Sequence, residues 1–297
     1  MMKRILFPFT NRTHARNQHL LDLLKEDFDV HICTYSEKDM PMTDVALDIA
    51  NKFRVALEIK PDLVLIRGDR FELLPVAMLS AYAGFKMAQI EAGDLSGAID
   101  NRVRYAIGHL SDYHFTTNEE SEKRLLSMGF PKVYNCGSLD VEYALSVQGE
   151  RQGRYILALW HNVPNEDEVE LLEALKAFPD YEIIGIRGNK DYGSGTYTEQ
   201  YAPDEFIRLL RGASCLVGNS SAGMKEASIL GTPVVNVGSR QQNRLKPKNV
   251  MDVPCGWRFI EEAIRIRLFH GRYAVDYTYY QLDVSKKICE VIKIVLQ

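Results

Sequence analysis

Leu63-Val64-Leu65-Ile66-Arg67-Gly68-Asp69-Arg70-Phe71-Glu72 is the stretch whose reading decides the fold. Its apolar run stops at an Arg-Gly-Asp break, and an equivalent run, Met87-Ala88-Gln89-Ile90, stops at Glu91-Ala92-Gly93. Short unbroken apolar runs bounded by glycine read as strands of a parallel sheet buried on both faces. Open α/β sheets place their ligands beyond the carboxyl ends of such strands. Asp69 and Glu91 therefore stand at two strand ends, and Asp100 follows a few residues on, in Asp94-Leu95-Ser96-Gly97-Ala98-Ile99-Asp100. The three carboxylates are expected to converge on one crevice rim. Neighbouring carboxylates push one another's pKa apart, which suits proton transfer at carbon. Asp69 could equally cap a helix beginning at Phe71. Glu91, placed directly after an apolar strand, must be either hydrogen-bonded into the structure or working.

Outward from this stretch, strand and helix alternate. Residues 5–9 read as a first strand, followed by the polar loop Thr10-Asn11-Arg12-Thr13 and a helix carrying Leu20, Leu21, Leu23 and Leu24. Arg12 or Arg16 in that region could hold a phosphate, or the loop could simply be solvated. Residues 30–34 form a second strand. Residues 43–59 are amphipathic at helical spacing, and residues 71–83 make the next crossover helix. Helices over 100–110 and 121–128 alternate with strands at 114–117 and 133–136. The polar, glycine-bearing stretch Gln148-Gly149-Glu150-Arg151-Gln152-Gly153-Arg154 marks a domain boundary, giving domains of 1–149 and 150–279, with a last helix at about 280–297. The second half repeats the pattern: strands at 155–160, 181–186, 215–217 and 234–237, with helices at 166–178 and 203–212. Alternation of this kind gives mostly parallel sheets.

At 297 residues the chain is long enough for two domains, and 46% hydrophobic with 26% charged residues is the composition of a water-soluble globular protein. A net charge of −4 offers no footprint for nucleic acid or an anionic membrane. Cys33, Cys136, Cys215, Cys255 and Cys289 are odd in number and widely spaced, which fits a reducing cytoplasm better than a disulfide framework or a zinc site. The apolar run after Met1-Met2-Lys3-Arg4 is too short for a secretion signal, and no run has membrane-spanning length. The histidines show no metal-ligand spacing. There is no Walker A loop, GxGxxG or GxSxG, so kinase, dinucleotide oxidoreductase and serine hydrolase lack their marks.

The most informative binding stretch is Val217-Gly218-Asn219-Ser220-Ser221-Ala222-Gly223-Met224-Lys225-Glu226. Glycine admits close backbone approach, and two serines at a helix start combine hydroxyls with open N–H groups and the positive dipole end, a cradle for a diphosphate. Glu226, further in, could accept from ribose hydroxyls. An ordinary helix N-cap would use the same serines. His161 ends the strand at the domain boundary beside Asn162. A lone histidine is often structural, but the strand-end position favours function.

Taken together, Gly68-Asp69-Arg70-Phe71-Glu72, residues 90–100, residues 218–226, Leu230-Gly231-Thr232-Pro233 and Gly238-Ser239-Arg240-Gln241 resemble the UDP-N-acetylglucosamine 2-epimerase family, most closely its hydrolysing branch from sialic-acid-type pathways. His161 and Asn189-Lys190-Asp191-Tyr192-Gly193-Ser194 fit as well. The resemblance implies an α/β, GT-B architecture of two Rossmann-like, doubly wound domains facing across a cleft, with the last helix packing back on the first. It also implies Asp69, Glu91, Asp100 and His161 as catalytic residues. Arg12, Ser220, Ser221, Gly223, Glu226, Arg240 and Gln241, with Arg70 and Asn219, are implied at the UDP site. UDP would leave across C1–C2 to give a 2-acetamidoglucal, and water would add to give free N-acetylmannosamine. No cofactor or metal is implied, and the expected assembly is a cytoplasmic homodimer or homotetramer.

The chain departs from the family pattern at Gln89 and Tyr105, where histidine is usual, and at Asn101, where an acid is usual. Gln89 cannot titrate but can still hydrogen-bond. Residues 36–57 and the loop after Gly193 are abbreviated. The remaining readings are reversible epimerisation with UDP retained, a UDP-2,4-diacetamido-6-deoxy sugar as substrate, GT-B glycosyl transfer, and nucleotide-sugar binding without catalysis.

Overall fold

The computed structural model describes residues 2–10, 13–35, 41–187, 196–197 and 199–297. The chain divides into two compact units, one of Met1–Asp94, Ile99–Glu142 and Tyr280–Gln297, the other of Leu95–Ala98 and Tyr143–Tyr279.

The first unit is a parallel sheet in the order β2-β1-β3-β4-β5-β6, built from β1 (Arg4–Thr10), β2 (Asp29–Tyr35), β3 (Leu63–Arg67), β4 (Met87–Ala92), β5 (Tyr113–Thr116) and β6 (Val133–Asn135). The unbroken apolar runs have a direct cause, because successive side chains enter two different cores. Ile5, Phe7, Leu63 and Leu65 pack under α1 (His14–Asp27) and α11 (Val284–Val295). Leu6, Val64 and Ile66 pack under α2 (Met42–Ala56), α3 (Leu73–Tyr82) and α4 (Asp100–Leu110). A strand covered on both faces has no solvent side, so its sequence does not alternate. Val284, Ile288 and Ile292 of α11 are fully buried, each contributing about 1.5–3 kcal/mol. Helix α5 (Glu119–Ser127) is capped by Asn118, whose Oδ1 accepts from Ser121 N at 2.9 Å, and α6 (Leu139–Ser146) carries the chain out of this unit.

The second unit is a parallel sheet in the order β11-β10-β9-β7-β8, from β7 (Tyr155–Trp160), β8 (Glu182–Arg187), β9 (Cys215–Gly218), β10 (Val234–Val237) and β11 (Val250–Val253). On one face Ile156, Ala158, Trp160, Val217 and Val235 pack against α7 (Glu168–Leu175) and α10 (Trp257–His270). Helices α8 (Pro203–Gly212) and α9 (Glu226–Leu230) complete the unit.

Several local expectations change. The helix expected from Phe71 starts at Leu73, with Glu72 as its N-cap residue, so Asp69 caps nothing there. The helix expected over residues 166–178 is the shorter α7, capped by Asp167. The helix expected after Ser220 is divided: a 3-10 turn at Ser221–Gly223 precedes the five-residue α9, which Gly231 ends in the left-handed conformation. β11 and α10 occupy residues to which the sequence reading assigned no element. Among the described residues no helix is long and apolar enough to cross a membrane.

Candidate active site

In the first sheet the chain passes from β1 to β2 on one side and then to β3 on the other, so the winding reverses between β1 and β3. Ligands of open α/β sheets bind beyond the carboxyl ends of strands at such a switch. Asn11 and Arg12, which follow β1, lie outside the described residues, as do Asn189, Asp191, Gly193 and Ser194. The end of β3 is Arg67, whose side chain is only 8% exposed. Its Nε and Nη2 donate to Glu91 Oε1 at 3.2 and 3.0 Å, Nη2 also to Asp140 Oδ1 at 2.7 Å, and Nη1 to Asn17 Oδ1 at 2.5 Å. Arg16 Nη1 donates to the same Asp140 oxygen at 3.2 Å. Burial alone would lower the Arg67 pKa, but Asp140 and then Glu91 outweigh it and the net shift is upward, so the guanidinium stays charged.

Glu91 is held unusually. The β4–β5 register slips between Ile90 and Ala92, leaving Glu91 in a bulge with φ of +64°. Left-handed backbone at a residue with a Cβ costs about 1–3 kcal/mol and collects at functional sites. Asp69, two residues past β3, pairs with Arg104 of α4, the acid one-quarter exposed and the guanidinium buried. Arg104 Nη1 also donates to Asp94 O at 2.9 Å and Asn101 Oδ1 at 3.4 Å. Asp100 is the first residue of the same helix. The expected mutual repulsion of carboxylates is therefore not the main organising force at Glu91 and Asp69: both acids take guanidinium partners.

The three departures from the family pattern serve this frame. Gln89 is buried and its Nε2 donates to Gly68 O at 3.3 Å and Arg104 O at 3.1 Å, tying the Asp69 turn to α4. Asn101 steadies Arg104, as above. Tyr105 donates to Gly93 O at 3.2 Å, and burial pushes its phenol pKa up. Asp94, which the sequence reading passed over, is buried and accepts from Thr117 Oγ1 (2.8 Å), Asn118 Nδ2 (3.2 Å) and Ser121 Oγ (2.8 Å). It fixes the segment that leads from Glu91 towards Asp100. Arg70 makes a fork on buried Glu72, with donor–acceptor distances of 2.6 to 3.2 Å.

In the second sheet the winding reverses between β7 and β9, the strands that His161 and Asn219 directly follow. Gly218, φ +143°, lies against Leu159 so closely that a Cβ would run into the Leu159 carbonyl. Next to it, buried Asn219 accepts from His161 N at 2.7 Å and donates to His161 O at 2.8 Å. The Asn219 carbonyl accepts from Arg240 Nη1 at 3.1 Å and Gln241 Nε2 at 2.9 Å. His161, Asn219, Arg240 and Gln241 thus form one connected group. Ser220 Oγ accepts from Ala222 N at 3.3 Å, and the N–H groups of Gly223 and Met224 go to Ser220 O and Ser221 O. The helix start expected at Ser220 and Ser221 is this compact turn, and the helix expected to carry residues 225–230 is α9, with Glu226 buried at its start. Two anchors of the same corner were not foreseen. Glu166 Oε1 accepts from Ser239 N and Oγ, both at 2.6 Å. Gly97 N donates to Arg240 O at 3.0 Å, where any Cβ on Gly97 would meet the Ser239 carbonyl.

The family model described as UDP-N-acetylglucosamine 2-epimerase matches residues 13–293. The chain belongs to this family. It is 31% identical to the UDP-N-acetylglucosamine 2-epimerase of Neisseria meningitidis serogroup B over 80% of this chain and 73% of that protein. It is equally, 31%, identical to the UDP-N,N'-diacetylbacillosamine 2-epimerase (hydrolyzing) of Legionella pneumophila, over 78% of this chain and 71% of that one. Its fold is that of the Methanocaldococcus jannaschii UDP-GlcNAc 2-epimerase solved in complex with UDP-GlcNAc and UDP: TM-score 0.80 at 18% identity, covering 98% and 99% of the two chains. The α/β, GT-B class read from the sequence is the fold of this family member.

Proposed function

We propose that this 2-epimerase family member is a hydrolysing UDP-N-acetylglucosamine 2-epimerase, converting UDP-GlcNAc and water to N-acetylmannosamine and UDP. The observation that carries the reading is the Glu91 carboxylate, held on left-handed backbone at the carboxyl end of β4 by a buried guanidinium. In the first step a base removes the C2 proton, the electron pair forms the C1–C2 double bond, and the C1–O bond breaks with UDP as leaving group. In the second, water adds its hydroxyl to C1 and C2 takes a proton on the opposite face. The C2 hydrogen is weakly acidic, so most of the rate comes from stabilising the departing diphosphate and placing the base.

Asp69, Glu91 and Asp100 are assigned to proton transfer, with His161 assisting. Arg12, Ser220, Ser221, Gly223, Glu226, Arg240 and Gln241 are assigned to UDP, with Arg70 near the leaving group. Asn219 acts on the nucleotide indirectly, by bracing His161, Arg240 and Gln241. The domains are taken as 1–149 and 150–279 with the last helix on the first, and the working form as a cytoplasmic homodimer or homotetramer. The test is proton NMR of the protein with UDP-GlcNAc in deuterated water. UDP together with free ManNAc deuterated at C2 is expected. UDP-ManNAc would instead place the chain in the reversible branch, and an untouched substrate would sink both. A second reading, a UDP-2,4-diacetamido-6-deoxy sugar as substrate, is supported by the equal identity to the Legionella relative. It is tested with that sugar in the same tube.

A further inference from the structure

Arg67 distributes its donors over three elements: α1 through Asn17, the β4 bulge through Glu91, and α6 through Asp140. Opposite it, Arg16 and Asp140 close a net of two cations and two anions. Buried ion pairs of this sort contribute little net stability, since desolvation offsets the attraction, but they fix geometry. The geometry fixed here is specific. Both Nε and Nη2 of Arg67 go to the same oxygen, Glu91 Oε1. The two donors of one planar fork meeting one oxygen fix where Oε1 lies, in the plane of the guanidinium, and the second oxygen is not the one Arg67 engages. Asp140 takes the other hydrogen of Nη2 and Asn17 takes Nη1, so the fork cannot swing away from Glu91 without breaking bonds on two helices.

We propose that Arg67 is a positioning residue for Glu91, aiming the carboxylate through Oε1, and that Asp140 holds Arg67 to that task. The proposal rests on the reading of Glu91 as a catalytic acid. Lysine would not substitute, because an ammonium is a point charge without a fork.

The experiment is steady-state kinetics on UDP-GlcNAc for wild type, Arg67→Gln, Arg67→Lys, Glu91→Gln and the Arg67→Gln/Glu91→Gln pair, with UDP affinity measured by calorimetry. Arg67→Gln is expected to lower kcat about a hundredfold with KM within about threefold, and Arg67→Lys nearly as much. In the Glu91→Gln background the same change is expected to cost less than about threefold, because its effect runs through Glu91. UDP affinity should not move. Wild-type kcat in Arg67→Gln, an undiminished loss in the Glu91→Gln background, or UDP affinity falling in step with kcat would each overturn the proposal while leaving the function reading standing. A wild-type protein that releases no UDP would overturn both. Should Arg67→Gln not fold, Asp140→Asn decides: a fall in kcat of about tenfold with unchanged KM supports the proposal, and wild-type kcat overturns it.

Discussion

The side-chain amide of Asn219 is bonded to the backbone of His161 in both directions, Oδ1 accepting from His161 N at 2.7 Å and Nδ2 donating to His161 O at 2.8 Å. It extends the β7–β9 pairing by one rung beyond the last strand residues, Trp160 and Gly218, using a side chain where backbone cannot reach. The result is a histidine fixed at the winding reversal of the second sheet, tied through the Asn219 carbonyl to Arg240 and Gln241.

Replacing Asn219 by alanine leaves a buried N–H and a buried C=O of His161 without these partners. The expected cost is about 2–4 kcal/mol, read as a lower urea midpoint, together with a loss of turnover as His161 shifts. Asn219→Asp keeps the acceptor but sets a carboxylate oxygen against the His161 carbonyl, so it should be no more stable than alanine. A wild-type urea midpoint in either variant would show that the clamp does not hold His161.

Glu91 sits at φ +64°, which makes an unusual ranking testable. Elsewhere glycine is the less stable choice, because it loses more conformational freedom on folding than alanine. At Glu91 alanine must keep a Cβ in the left-handed region, and glycine need not. Glu91→Gly is therefore expected to be more stable than Glu91→Ala by about 1 kcal/mol, both lacking the carboxylate and both inactive. Equal thermal midpoints, or alanine above glycine, would mean the bulge relaxes once the acid is gone.

The buried parallel strands were legible because two-sided burial writes itself as an apolar run, and Leu63-Val64-Leu65-Ile66 feeds two cores. Asp69 and Glu91 were visible as acids at strand ends. Their settings were not, because Arg104, the partner of Asp69, and Asp140, the second anion on Glu91's partner Arg67, lie far along the chain and are brought in by α4 and α6. Arg67 stood in the quoted stretch without a role; a cation at the last position of a buried strand was the available clue. The bonds of Asn219 to His161 were not legible, because sequence shows a polar residue after a strand and not the neighbouring strand it pairs with. β11 is four residues with an aspartate inside it, and α10 leaves Trp257, Phe259, Ile266 and Phe269 exposed, so neither presents a clean period.

His114 carries a prediction about pH. It lies on β5, buried, with Nε2 at 2.9 Å from Gly108 O, its ring 4.6 Å from that of Phe130, and Nδ1 buried without a hydrogen-bond partner. Burial lowers its pKa, against the raising effect of the Gly108 and Lys132 backbone contacts and of Asp112, with His109 adding slightly to the lowering. In the unfolded chain a histidine titrates near about 6.5. Above that pH both states are neutral at this site. As pH falls below it the unfolded state takes up a proton that the folded state refuses, so stability declines by up to about 1.4 kcal/mol per pH unit until the folded pKa is reached. His114→Gln keeps a donor for Gly108 O and removes the titration. Urea midpoints of both proteins from about pH 7.5 to about pH 5 should therefore converge as the pH falls, wild type losing its advantage through this window. Parallel curves would mean that His114 takes up its proton in the folded state as readily as in the unfolded one.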